Sequence, residues 1–212
     1  MQYIQEFKII TLGDSGVGKT SIIKRYCDKK FNDNNQSTIG INFPYKEMNV
    51  DKKNKKIKIK LKLIDTCGQE KYKSLSKAYY RNADAVLFIF SMNETDTLDT
   101  INGWMESFKD NNNKAEEILK YLVGTKNDLE IKVNQSLIDE FSQKNNLKFI
   151  STSAKKNNNI DELFEEIGKK LYSKLGEKGD FNQKNFKINE IKETKKRNGC
   201  CNINMAEAKA FK

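Results

Sequence analysis

The spacing of hydrophobic and polar positions changes period several times along the chain, and each change marks an element. The run FKIITLG, 7–13, is apolar and ends in glycine, as a short strand does, and KTSIIKRYCDKKF then carries its apolar residues at helical spacing. INFPYKEMNV and KIKIKLKLID are two extended stretches flanking a lysine-rich turn, DKKNKK. In the second stretch Ile57, Ile59, Leu61 and Leu63 alternate with Lys58, Lys60 and Lys62. That period of two implies one buried and one solvated face, as in an antiparallel edge pair. Pro44, the only proline, is tolerated near the start of an edge strand.

A helical segment is expected over 70–80, and DAVLFIFSM, 84–92, is continuously apolar, the mark of a strand covered on both faces. A helix over 95–112, a strand ILKYLVGT, a helix over 134–145, a strand LKFISTS and a helix over 160–174 complete the series. Strands alternating with helices, with apolar strands among them, predict an α/β domain built on a mostly parallel sheet. No internal repeat is present. From about Gly176 the apolar periodicity fades, so the expected division is a domain over 1–175 and a flexible basic tail over 176–212.

Composition narrows the chemistry. The chain has 212 residues, 37% of them hydrophobic, enough for one core and a tail. The net charge of +10 admits three readings: nucleic acid, an acidic membrane surface, or a lysine- and asparagine-rich coding bias without chemistry. No basic patch interleaved with aromatic residues supports nucleic acid, which is not expected as a partner. There are no histidines, which removes the commonest general base, the commonest zinc ligand and every Ser-His-Asp scheme. Cys27, Cys67, Cys200 and Cys201 are neither spaced as disulfide partners nor grouped as a metal site. With no signal peptide and no apolar run long enough to cross a bilayer, a reduced, cytosolic protein is expected.

The strand-to-helix junction reads GDSGVGKT, 13–20, a full match to G-x-x-x-x-G-K-[ST]. Glycines 13, 16 and 18 let the backbone turn so that several N–H groups point into one concavity, and Asp14, Ser15, Gly16, Val17, Gly18, Lys19, Thr20 and Ser21 are the expected nucleotide-binding residues. The helix that follows adds its positive N-terminal end. Lys19 would reach the β- and γ-phosphates and the Thr20 hydroxyl would ligate Mg²⁺. A nucleoside triphosphate is therefore the expected ligand, its base undetermined at this point. A second stretch, KLIDTCGQEKY, ends an apolar strand on Asp65. A buried carboxylate is costly unless something positive meets it, and in P-loop proteins an Asp on a neighbouring strand holds the metal.

GDSGVGKT, STIGINF, DTCGQE, GTKND and TSAK occur in that order across residues 6–175. Together they resemble a small GTPase of the Ras superfamily, and IGINF, EKYKSL and KAYYRNA resemble the Rab branch. The resemblance implies a Ras-like G domain: a mostly parallel six-stranded sheet with one antiparallel edge strand and helices on both faces. It implies GTP, GDP and Mg²⁺ as cofactors, with Thr20, Thr38 and Asp65 at the metal. Asp128 would accept from guanine N1–H and the exocyclic amine, and adenine would leave that carboxylate unpaired. Lys126 would pack along the base and Phe31 near its other edge, Ala154 N–H would meet the 6-oxo group, and Ser153 and Lys155 would brace that loop. Thr125 stands where the family usually has Asn. Thr38 and Gly68 would sense the γ-phosphate, and Gln69 would orient the attacking water. Arg25 and Arg81 fall on predicted helices, so no in-chain arginine finger is expected.

The same resemblance implies slow hydrolysis, a monomeric G domain, and partners of three kinds: an exchange factor, a GTPase-activating protein and effectors. The expected effector surface is Ile39, Gly40, Ile41, Phe43, Ile64, Tyr72 and Tyr79. Ile64 replaces a Trp usual in the family, which predicts effectors unlike those of ordinary Rabs, and Cys67 replaces the usual Ala. Residence on the cytoplasmic face of an intracellular membrane, cycling with cytosol, is implied for a prenylated Rab. Yet NINMAEAKAFK follows Cys200 and Cys201, so three readings remain: a non-native extension, processing of the end, or no prenyl group. The function the resemblance implies is a switch that cycles between GTP- and GDP-bound states and recruits effectors in intracellular membrane traffic. Two others compete with it: a P-loop kinase or ATPase, and a nucleotide-locked scaffold with little turnover.

Overall fold

The computed structural model describes residues 5–33, 38, 40–52, 55–66 and 78–177. Six strands form one sheet: β1 (Gln5–Leu12), β2 (Tyr45–Lys52), β3 (Lys55–Asp65), β4 (Ala85–Ser91), β5 (Leu119–Thr125) and β6 (Lys148–Ser151). The described helices are α1 (Lys19–Asp28), α2 (Asp96–Asp99), α3 (Ile101–Asn111), α4 (Gln135–Lys144) and α5 (Ile160–Glu177). The strand order is β2-β3-β1-β4-β5-β6, with β2 antiparallel to β3 and every other pairing parallel.

Each face of the sheet carries its own core. On one face Ile9, Leu61, Leu63, Leu87 and Val123 meet α1 through Ile22, Ile23 and Tyr26, and α5 through Leu163, Phe164 and Ile167. On the other, Ile10, Val86, Phe88 and Leu122 meet Trp104 and Phe108 of α3 and Ile138 of α4. All seven residues of β4 are buried, which is why its sequence is apolar without alternation. Lysines of β3 pair with acidic residues of neighbouring strands: Lys58 with Glu47 and Lys60 with Glu6.

Two boundaries differ from expectation. The helix predicted over 95–112 is divided at Thr100, whose hydroxyl donates to the Thr97 carbonyl and the Asp14 carboxylate. The last helix runs to Glu177 and the compact unit to Gly179, past the expected boundary at 175. The predicted helix over 70–80 lies largely outside the described residues, of which 78–80 are helical.

Candidate nucleotide site

The parallel strands bring their C-terminal ends to one edge, and the segments leaving β1, β3, β5 and β6 border a single cavity of about 330 Å³. The loop leaving β1 starts at Gly13, where a Cβ would lie 2.1 Å from the Ile89 carbonyl oxygen, so no side chain fits. Gly18, at φ 102°, caps α1 in the left-handed region. Lys19 is buried, and its ammonium donates to the Gly13 and Asp14 carbonyls at 2.8 and 2.6 Å. A primary ammonium is thereby fixed at the mouth of the loop. Ser15, Gly16, Gly18, Lys19, Thr20 and Ser21 line the cavity. Val17 and Asp14 serve differently. The Val17 side chain is in the core, while the Asp14 carboxylate accepts from Thr100 Oγ1 at 2.6 Å and Trp104 Nε1 at 2.8 Å.

Beside the loop, Thr20, Thr38 and Asp65 converge. Thr20 Oγ1 lies 2.6 Å from Thr38 Oγ1, and 3.1 and 2.8 Å from the two Asp65 carboxylate oxygens. Reciprocal backbone bonds between Asn42 and Asp65, at 3.2 and 3.0 Å, pin the chain near Thr38 to the end of β3. Burial pushes the Asp65 carboxyl up, while the Thr20 hydroxyl and the charges of Lys19 and Lys24 pull it back.

At the far end of the cavity Asp128 accepts from Ser153 Oγ at 2.5 Å, and the same Ser153 oxygen accepts from Lys156 N–H at 3.0 Å. Thr125 reaches two carbonyls with its hydroxyl, Val17 of the phosphate loop and Phe90 of β4, the latter at 3.0 Å. Lys126 adopts φ 59° and pairs with Glu94 at 3.0 Å. Phe31, Lys126, Asp128, Ala154 and Lys155 line this end, and Lys155 pairs with Asp33 at 3.2 Å. A site with a cationic, N–H-rich cradle at one end and a carboxylate at the other suits a polyphosphate joined to a hydrogen-bonding base.

Comparison with known proteins agrees with this architecture. A sequence model of the Ras family matches residues 8–173. The chain is 36% identical over 176 residues to the Ras-related protein Rab-13 of Bos taurus, covering 82% of this chain and 84% of that protein. It is 36% identical over 175 residues to Rab-2B of Dictyostelium discoideum, covering 82% and 84%, and 35% identical over 173 residues to Rab11E of Lotus japonicus, covering 81% and 77%. The chain is a Rab small GTPase of the Ras superfamily. As such it binds GTP and GDP with Mg²⁺ and hydrolyses GTP to GDP and phosphate.

The oxygen cluster of this Rab GTPase fits Mg²⁺. Its ligand set is one carboxylate and two hydroxyls, hard oxygen donors that match a small cation which retains waters and takes phosphate oxygens. Asp65 is buried, and the hydroxyl of Thr20 is its direct hydrogen-bond partner, so a cation would supply the compensating charge.

Several expected site residues lie outside the described residues: Gly68 and Gln69, Ile39 and Tyr72 of the effector surface, Cys67, and Cys200 and Cys201. Of the remaining effector residues, Phe43 is 41% exposed and its ring centroid lies 5.1 Å from that of Tyr79. Gly40, Ile41 and Tyr79 are half-buried. Ile64 must be corrected. Its side chain is fully buried in a cluster with Ile10, Leu12, Tyr80 and Val86, against which Ile41 and Tyr79 pack. It shares a strand face with Lys58, Lys60 and Lys62, but at its end of β3 that face is covered.

Ile22, Asn32, Asp33, Thr66 and Leu129 also line the cavity and were not among the expected site residues. Each is adjacent to a predicted site residue or one removed, and adjacency was the available signal. Sequence reasoning also gave Arg25 no role except as an absent finger. Arg25 is on α1 as expected, with its guanidinium at the loop after β6, whereas Arg81 falls in a turn.

Proposed function

We propose that this Rab GTPase is a nucleotide-dependent switch in intracellular vesicle traffic, recruiting effectors when GTP is bound and releasing them after hydrolysis. The observation that carries the proposal is the contact of Thr38 with Thr20 beside Asp65. The connection between α1 and β2 is thereby tied to the phosphate loop through one hydroxyl. In the proposed cycle Thr38 and Gly68 hold the γ-phosphate end from two sides, and its loss frees both segments. Lys19 stabilises charge on the transferring group and Gln69 orients the water. Mg²⁺, held through Thr20, Thr38 and Asp65, would supply further positive charge there.

Turnover in the proposed cycle is slow and depends on an external activator that inserts an arginine. Unaided relatives turn over at about 10⁻⁴ per second, raised ~10⁵-fold by an inserted arginine. Effectors would read Ile39, Gly40, Ile41, Phe43, Tyr72 and Tyr79. Prenylation at Cys200 and Cys201 with the adjacent KKR would attach the protein to the cytoplasmic face of a membrane.

Purified protein should retain GTP in preference to ATP, and Gln69→Leu should slow single-turnover hydrolysis about 10²-fold, the scale of losing a positioned reactant. Hydrogen exchange over 34–40 and 67–77 should differ between GDP and a non-hydrolysable GTP mimic. Preference for ATP, or identical exchange with the two nucleotides, overturns the switch. Mass spectrometry of the native C-terminal peptide tests the anchor, which an intact, unmodified tail rules out.

A further inference from the structure

Arg25 joins three parts of the molecule through one planar group. Its Nε donates to the Ala154 carbonyl at 2.6 Å, one terminal nitrogen to the Lys155 carbonyl at 3.3 Å, and the other to the Lys29 carbonyl at 2.9 Å. Lys29 caps α1 at φ 57°, with its N–H returning 3.1 Å to the Arg25 carbonyl. The guanidinium also lies 5.9 Å from the Phe31 ring centroid. Arg25 is therefore bonded to the turn that carries Phe31 and to the loop that carries Ala154, and both of those residues line the cavity.

The bonds along the loop after β6 divide into two sets. Residues 152 and 153 are held by Gly124, Asn158 and Asp128: Thr152 N–H donates to the Gly124 carbonyl at 2.7 Å, Ser153 and Asn158 exchange backbone bonds, and Ser153 Oγ donates to Asp128. One residue later the support changes. Among the described residues, the hydrogen bonds to the carbonyls of Ala154 and Lys155 come from Arg25. A peptide unit is planar and trans, so holding the Ala154 carbonyl toward α1 fixes the 154–155 peptide plane and with it the ψ of Ala154, the residue whose own N–H would meet the 6-oxo group. Guanidinium-to-carbonyl bonds are charge-assisted, and their fork geometry is rigid.

From this division we infer that Arg25 is a positioning residue for base selectivity, acting on one edge of guanine. It fixes the backbone on the C-terminal side of the Ala154 N–H that would read the 6-oxo group, while Ser153 orients Asp128 toward the N1 and 2-amino edge. The inference rests on the proposed base pocket.

Three nucleoside diphosphates probe the edges: GDP; inosine diphosphate, which lacks the 2-amine alone; and 2,6-diaminopurine riboside diphosphate. In the last an amine replaces the 6-oxo group and N1 loses its hydrogen, a loss felt equally by wild type and variant because the Asp128 support is common to both. Equilibrium affinities of the Mg²⁺-loaded full chain are compared for wild type and Arg25→Gln. The preference for GDP over the diaminopurine nucleotide should fall about tenfold, as expected for losing charge-assisted bonds. The preference over inosine diphosphate should stay within about twofold, since the Ser153–Asp128 support remains. Arg25→Lys retains the charge and stem but cannot form the fork, and should behave as Arg25→Gln; it also serves if the latter fails to fold. Unchanged preferences, or both falling together as in general loosening, overturn the inference. A wild-type chain that does not distinguish the three nucleotides overturns the base pocket itself, a failure visible without any variant.

Discussion

Asp128 illustrates how much one oriented atom can decide. One of its carboxylate oxygens accepts from Ser153, which sets the orientation of the whole group. In the proposed pocket the carboxylate takes two donors from guanine, N1–H and the 2-amine. Asp128→Asn replaces one acceptor oxygen by a donating amide, so the 2-amine meets another donor. GTP affinity should fall by about 10- to 100-fold, the scale of a lost buried hydrogen bond with its partner left unsatisfied. Xanthosine triphosphate, with an oxo group at that position, should gain affinity by a comparable factor. Competition binding of the two nucleotides to wild type and variant checks both directions, and an unchanged preference removes Asp128 from base reading.

At the scale of elements, two contacts couple the site to its supports. Trp104 is the only tryptophan in the chain, and its indole N–H bonds the Asp14 carboxylate across 2.8 Å. The Asp14 carbonyl in turn receives Lys19. Release of nucleotide should therefore change the intrinsic tryptophan emission, and Asp14→Asn should reduce that change by more than half while weakening GDP about tenfold. Stopped-flow fluorescence on chelating Mg²⁺ measures the signal, and a silent tryptophan removes the coupling. The second contact is Glu166 on α5, which accepts from Tyr121 of β5 at 3.0 Å, Lys148 of β6 at 2.7 and 2.6 Å, and Lys170 at 2.9 Å. Partial burial would raise this carboxyl, but hydrogen bonds from Lys148, Lys170 and Tyr121 outweigh it and bring the value from 4.5 down to about 2. A depressed folded value stabilises the protein above pH 4.5, with the gain lost as pH falls toward about 2. The side chain keeps partial contact with solvent, which screens its pairs, so the gain is about 1 kcal/mol or less. Glu166→Gln should melt lower than wild type at neutral pH, with the gap closing as pH drops below 4.5. Thermal denaturation across that range gives the sign.

For the whole molecule, the order β2-β3-β1-β4-β5-β6 collects the C-terminal ends of β1, β3, β5 and β6 around one cavity. The phosphate and base ends of the site thus belong to one sheet edge and share its rigidity. The compact unit ends at Gly179, with Leu171 and Tyr172 of α5 still buried in the core. A chain truncated after Gly179 should keep its melting temperature and GDP affinity within about twofold. One truncated after Tyr172 exposes the last core turn and should lose about 1–3 kcal/mol. Calorimetry of the two truncations tests the boundary, and a large loss at Gly179 would extend the domain into the tail.

What was legible in the sequence was local. The segments 13–20, 125–128 and 153–155 each carry their residue types within a few positions, because a phosphate loop or a base-reading turn is made by contiguous backbone. Alternating and continuous apolar runs likewise separated the half-solvated β3 from the fully covered β4, since side-chain direction follows strand parity. Parity could not say where cover ends. Ile64 and Lys62 point to the same side of β3, yet Tyr80, Ile10 and Val86 cover only the former's end. Nor does spacing reveal that Arg25 meets Ala154, that Asp14 meets Trp104, or that Thr125 joins Val17 to Phe90. Those partners are distant in the chain and were decided by tertiary structure, because sheet order and helix packing choose which loop ends become neighbours.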